Sequence, residues 1–158
     1  MTGTPATVAL RAAGIPFTEH EYPHVPAAQS FGLEAAAALG VEPDRVFKTL
    51  LTEVDARIVV GIVPVTGRLD LRALATALGG KRAAMADPAL AQRRTGYVVG
   101  GISPIGQKTP SPTVLDQSAT LWETIFVSGG RRGLDLELAP ADLVAMTSAA
   151  IADIARGG

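Results

Sequence analysis

DRVFKTLLTEV (residues 44–54) and RIVVGIVPV (residues 57–65) are two β-prone runs separated only by Asp55-Ala56. Valine, isoleucine, phenylalanine and threonine favour a pleated, half-buried backbone, and so short a gap is the length of a β-hairpin turn. Side chains alternate along a strand, so Val46, Lys48 and Leu50 share one face while Phe47, Thr49 and Leu51 share the other. Lys48 is thus a charge set among apolar neighbours. As an edge-strand lysine it would snorkel to water and discourage aggregation. As a lysine on a pocket wall it would hold a carboxylate, a phosphate or a developing oxyanion. The strand pattern leaves both roles open.

Outward from this hairpin, the chain alternates between helix and strand signals. Thr4-Pro5 caps a short amphipathic helix, ATVALRAA, that Gly14 ends, and IPFTEHEY alternates as a strand running to Tyr22. Residues 23–30 form a proline-punctuated loop, Ser30 caps FGLEAAAAL, and Gly40 stands at its C-terminal end. Beyond the hairpin, Asp70 caps LRALATAL and Asp87-Pro88 opens ALAQRR. GYVVGG, TVLD, TIFVSG and LDLELA read as strands, and Pro140 starts a C-terminal helix through ADLVAMTSAAIADIA. Helices and strands are interleaved at first and strands then follow in a run. That order predicts an α+β fold, one domain over residues 1–158, with a mixed, partly open barrel-like sheet rather than a doubly wound one.

Composition narrows the chemistry. The chain has 158 residues, 47% of them hydrophobic, enough for a core without staples. It has no cysteine, so disulfides, thiolate–metal sites and an enzyme-borne thiol nucleophile are excluded, and any thiol must come from the substrate. His20 and His24 are the only imidazoles, and HExxH, GxSxG, GxGxxG and P-loop patterns are absent. Neither a metal nor a cofactor is expected. No membrane span or signal peptide is evident, which leads to the expectation of a cytoplasmic protein. The net charge is −1, but residues 68–132 hold nine Lys/Arg against four Asp/Glu. Gathered on one face, those bases would suit a phosphate-bearing partner; scattered, they are ordinary solvated charges.

Two further features carry candidate chemistry. Gly100 and Gly101 end one predicted strand and Gly129-Gly130 lies between two others; glycine loops can aim N–H groups at an anion, although tight turns need them equally. Tyr22, Ser128 and Asp135 are polar residues at or near strand ends, and alternation in LDLEL puts Asp135 and Glu137 on the same face without distinguishing them.

Taken together and in order, VFKTL, MADP, QRRTGYVVGGISPIGQK, PTVLD and VSGGRRGLDLEL closely resemble the YbaK/EbsC family of aminoacyl-tRNA deacylases, specifically the YbaK-type Cys-tRNA(Pro) deacylases related to the editing domain of prolyl-tRNA synthetase. The resemblance spans essentially the whole chain and implies an α+β domain on a mixed, barrel-like sheet. It makes Lys48 the match to an essential lysine. It places Tyr22, Phe31, Gly100, Gly101, Ser128 and Asp135 in the substrate pocket, so that Asp135 is singled out over Glu137. It implies trans-editing of mischarged Cys-tRNA(Pro), with the cysteinyl thiol attacking its own ester and no cofactor required. The partner is then the acceptor end of tRNA(Pro), with prolyl-tRNA synthetase as a further partner. A deacylase of other specificity, such as for Ala-tRNA(Pro), and a non-catalytic module binding a nucleotide or RNA end are the competing readings. Thr109-Pro110-Ser111 replace a more basic stretch of close relatives, and Val25 stands where an acid is common.

Overall fold

Two glycine-like backbone positions close the hairpin around which the rest assembles. In the computed structural model, which describes residues 3–24 and 30–157, Asp55 and Ala56 both take left-handed conformations (φ 49° and 69°) between β2 (Phe47–Val54) and β3 (Arg57–Pro64). That is the turn whose twist matches two right-twisted strands. The Val25 departure lies outside the described residues.

The elements before the hairpin form where caps and patterns place them. α1 (Pro5–Ala12) starts in a capping box between Thr4 and Thr7, β1 spans Thr18–Glu21, and α2 (Phe31–Leu39) starts on the Ser30 hydroxyl and ends at Gly40 (φ 67°). After the hairpin come β4 (Gly67–Leu69), α3 (Leu71–Ala77), β5 (Ala83–Met85) and α4 (Pro88–Thr95). β6 (Thr113–Asp116), β7 (Ile125–Ser128), β8 (Leu134–Leu138) and α5 (Pro140–Thr147) follow, then β9 (Ala150–Ala152) and β10 (Ala155–Gly157).

The strand order is β5-β2-β3-β6-β9 in one sheet and β1-β8-β7 in another, with β10-β4 as a small ribbon. β3 and β9 run parallel to β6 while β2, β3 and β5 are antiparallel, so the sheet is mixed. A parallel bridge from Val46 to Phe126 joins the two main sheets and curls them toward a barrel. The α+β expectation therefore holds. One face of the hairpin, with Leu51, Val60 and Ile62, packs with Leu10 of α1 and with Val127 and Leu136 of the second sheet. The other, with Val54, Val59 and Val63, packs under Leu74 of α3 and Ile154. Ala36 of α2 is seated on Val46, Val65 and Phe126.

Two predicted elements differ. GYVVGG is not a strand: Gly96 (φ 80°) caps α4, Tyr97 is buried with its hydroxyl donating to the Ile105 carbonyl (2.6 Å), and Val98 and Val99 are both exposed. The apolar run is consumed by a plug and a turn, with no neighbouring strand to pair. The C-terminal helix stops at Thr147, where Ser148 is left-handed (φ 56°), and the alanine-rich remainder becomes β9 and β10. Tertiary pairing overrides helix propensity there, because β6 and β4 offer open edges. The buried Asp116 carboxylate fixes that route by accepting from the backbone N–H groups of Ile154 and Ala155 (both 2.9 Å) and of Ser118 (3.1 Å).

Asp116→Ala removes the acceptor for three amides, two of them on the C-terminal segment, and should destabilise the protein by about 3 kcal/mol. Urea denaturation measures it, and a loss below about 0.5 kcal/mol would mean that strand pairing alone holds the C-terminus.

Candidate active site

The edge of β2 has two claimants. Toward its C-terminal end Thr52–Val54 pair with β5, and the Leu51 carbonyl accepts from Ala86 N–H (3.0 Å). At the other end Val46 bridges Phe126 of β7. Between these anchors the neighbours diverge, and a pocket of about 370 Å³ opens on the strand edge. Because it lies on an edge, residues from both faces of β2, Phe47 through Leu51, line it.

Strand register then sets a polar row. Val46 stands beside Phe126, so two residues further along the parallel pair Lys48 and Ser128 reach the same level. Ser128 is directly opposite Asp135, and Asp135 is opposite His20. Tyr22 leaves β1 with its N–H donating to the Gly133 carbonyl (3.0 Å). Tyr22, Phe31, Lys48, Gly100, Ser128 and Asp135 all line the pocket. Gly101 does not. Its N–H donates to the Val98 carbonyl (2.8 Å), and a Cβ there would come within 2.8 Å of Arg131 Cα, so its bareness lets the 98–101 turn lie against residues 131–132.

The pocket's charges are poorly compensated. Lys48 is partly buried, makes no ion pair with any described residue, and has its pKa lowered by burial. Asp135 is only 5% exposed, and burial pushes its carboxyl up to about 7. Tyr22 is pushed up to about 12, first by burial and then by Asp135 and Glu34. The Ser128 hydroxyl oxygen accepts from Gly130 N–H (3.2 Å), which leaves its proton to donate elsewhere. Glu137, two residues from Asp135 on the same face, has the opposite fate. Its carboxylate accepts from the Thr124 hydroxyl (2.5 Å), pairs with His20 Nε2 (2.9 Å) and with Arg45 (3.4 Å), and its pKa is lowered, chiefly by Thr124. The environment thus separates two acids that alternation could not.

Neither imidazole lines the pocket: His20 is engaged with Glu137, and His24 Nδ1 with Glu34 Oε1 (2.8 Å). Among the described residues no group of three His, Asp or Glu side chains is placed to hold a metal ion. Arg72, Lys81 and Arg82 gather beside Asp55 at the hairpin tip, whereas Arg132 lies over Phe31 at the pocket wall.

Sequence reasoning passed over Thr49. Its hydroxyl is buried with no partner among the described residues, and ladder alternation directs its N–H and C=O toward the open edge at the pocket wall, since Leu51, two residues on, already bonds outward. Its only sequence signal was adjacency to Lys48. Met85, Ala86, Val99 and Ile102 also line the pocket, brought there by β5 and by loops whose apolar residues carried no periodic signal.

The aminoacyl-tRNA editing domain family matches residues 25–146. A curated relative from Enterococcus faecalis (strain ATCC 700802 / V583), provisionally named Cys-tRNA(Pro)/Cys-tRNA(Cys) deacylase EbsC, is 37% identical over 145 residues, covering 89% of this chain and 85% of that one. A crystal structure provisionally described as a trans-editing enzyme for prolyl-tRNA synthetase superposes with a TM-score of 0.82 at 28% identity, covering 97% of this chain and 96% of the other. The crystal structure of the hypothetical protein APE2540 gives 0.86 at 26% identity, over 96% and 99% of the two chains.

Asp135 makes stability depend on pH. The folded protein keeps the carboxyl proton up to about pH 7, whereas an unfolded chain releases it near pH 4. Stability tied to this group is therefore whole below about pH 4 and is lost as pH rises toward 7, by at most about 4 kcal/mol. Asp135→Asn should be more stable than wild type at pH 8, with the difference shrinking toward pH 4. Urea titrations at both pH values test this, and a pH-independent difference would contradict the assignment.

Proposed function

The chain belongs to the aminoacyl-tRNA editing domain family, and we propose that it is a trans-editing deacylase that removes cysteine from mischarged tRNA(Pro), the thiol of the cysteinyl group serving as nucleophile. One observation carries this reading. The pocket presents an ammonium, Lys48, with no ion-pair partner among the described residues, beside hydroxyls and a buried acid whose pKa is pushed up to about 7, yet no cysteine or histidine lines it. Such a site can orient and neutralise charge, which suits a substrate that brings its own nucleophile.

In the proposed step the cysteinyl sulfur bonds to its own carbonyl carbon and the bond from that carbon to the ribose 3′ oxygen breaks. The thiol proton ends on the departing oxygen, so the products are tRNA with a free 3′ hydroxyl and a cyclic thioester that water opens afterwards. In this reading Lys48 anchors the terminal adenosine or offsets charge developing at the ester. The Gly100 backbone steers the carbonyl; Tyr22, Ser128 and Asp135 fix the aminoacyl group and ribose; Phe31 and Thr49 complete the wall. Gly101 serves by letting the turn that carries Gly100 lie close to residues 131–132. Serine and alanine esters lack the thiol and should react poorly even when they fit. The acceptor end of tRNA is the partner, and a complex with prolyl-tRNA synthetase would supply selectivity for tRNA(Pro).

Cysteinyl-tRNA(Pro) deacylation by wild type and Lys48→Ala, compared side by side, should show at least a hundredfold loss in the variant. Undiminished turnover by a folded variant would overturn the role given to Lys48. With alanyl-tRNA(Pro) as a second substrate, cysteine should be released faster; faster alanine release would sink the thiol-assisted step and favour a deacylase of other specificity.

Thr49→Val keeps the shape and removes a buried hydroxyl that has no partner among the described residues. It should leave stability unchanged or raise it slightly, as read by urea denaturation. A loss of more than about 1 kcal/mol would show that the hydroxyl has a partner in the folded protein.

A further inference from the structure

Three chain segments meet at the wall that carries Gly100, and one side chain ties them. Arg132, exposed on the turn between β7 and β8, directs both Nε and one terminal nitrogen at the Val99 carbonyl (2.9 and 2.6 Å) and lays its guanidinium over the Phe31 ring (5.1 Å to the centroid). The Val99 N–H is held from the other side by Gln92 Oε1 of α4 (2.9 Å). Gly100 fits between these groups only because it has no side chain: a Cβ would come within 2.8 Å of Phe31 and 2.9 Å of Arg132 Nε, and its φ is 89°. Phe31, Val99 and Gly100 line the pocket, whereas Arg132 is not among the lining residues.

We infer that Arg132 is a positioning residue: it clamps the Val99–Gly100 peptide and the Phe31 ring into one wall, and thereby fixes the Gly100 backbone against the aminoacyl ester. The inference rests on the reading of this pocket as the deacylation site. A guanidinium can perform both tasks at once because its planar fork grips one carbonyl with two N–H groups while its face lies on an aromatic ring. An ammonium cannot. Arg132 has no carboxylate partner among the described residues, so its orientation comes from these two contacts and not from an ion pair.

The geometry sets the expected pattern. Arg132→Ala and Arg132→Lys should both lower kcat on cysteinyl-tRNA(Pro) by ten- to a hundredfold with little change in KM, since misplacement of a reacting group by about 1 Å costs on that order. In a Phe31→Ala background the further effect of Arg132→Ala should be much smaller, because the two act through one wall. Amide hydrogen exchange of the substrate-free protein should quicken in residues 98–101 and 31–33, with protection of β2 and β3 unchanged. Unaltered exchange in those segments overturns the clamp, as does unaltered kcat. So does a loss confined to KM that Arg132→Lys restores, which would make the residue a phosphate contact. If wild type releases no amino acid from any tRNA, the deacylase reading fails, and the exchange measurement still decides whether Arg132 holds the wall.

Discussion

A β-strand edge can be paired by only one neighbour at a time, and β2 has two. β5 takes Thr52–Val54, β7 reaches Val46, and neither covers the residues between. Backbone groups left unpaired inside a fold are costly unless water or a ligand meets them. The fork in the sheet is therefore both the defect and the site. It opens a pocket whose wall includes the backbone edge at Thr49, and its parallel register on the β7 side brings Lys48 level with Ser128 and Asp135. Had β5 continued along β2, the ladder would be complete and Lys48 would border no cavity.

The same fork explains the pocket's electrostatics. Asp135 and Glu137 leave one face of β8 two residues apart, but the first is buried at the pocket while Arg45, Thr124 and His20 surround the second. Satisfying Glu137 with three donors keeps its charge outside the site. Burial pushes the Asp135 carboxyl up to about 7, so that it titrates near neutrality. Pairs of titratable groups pushed apart by environment often mark an acid–base assignment. Lys48, in the same pocket, makes no ion pair with any described residue.

Legibility in the sequence followed the range of the signal. Caps at Thr4, Ser30, Asp70 and Asp87, the turn at Asp55-Ala56 and the alternation of β2, β3 and β8 are local, and the structure places the corresponding elements within a few residues of their signals. β5, β9 and β10 are three residues each and exist because an edge elsewhere needed a partner, which no local pattern announces. GYVVGG misled for a related reason: its apolar residues serve a plug and a turn rather than a pleat. The site residues were named through resemblance, since neither propensity nor periodicity could distinguish Asp135 from Glu137 or draw attention to Thr49 and Arg132.

Glycine has two different uses around this pocket. Gly100 lines it, with a positive φ that turns the chain and an absent side chain that admits Phe31 and Arg132. Gly101 faces away and permits the backbone of residues 131–132 to approach. A sequence shows only a pair. The fold divides it into one residue that lines the pocket and one that lets residues 131–132 come close behind that wall, so substitution at either position would disturb the same surface by different routes. On the proposed reading, in which the substrate brings its own nucleophile, precision would come from such backing, because the site's contribution would be orientation and fixed charge.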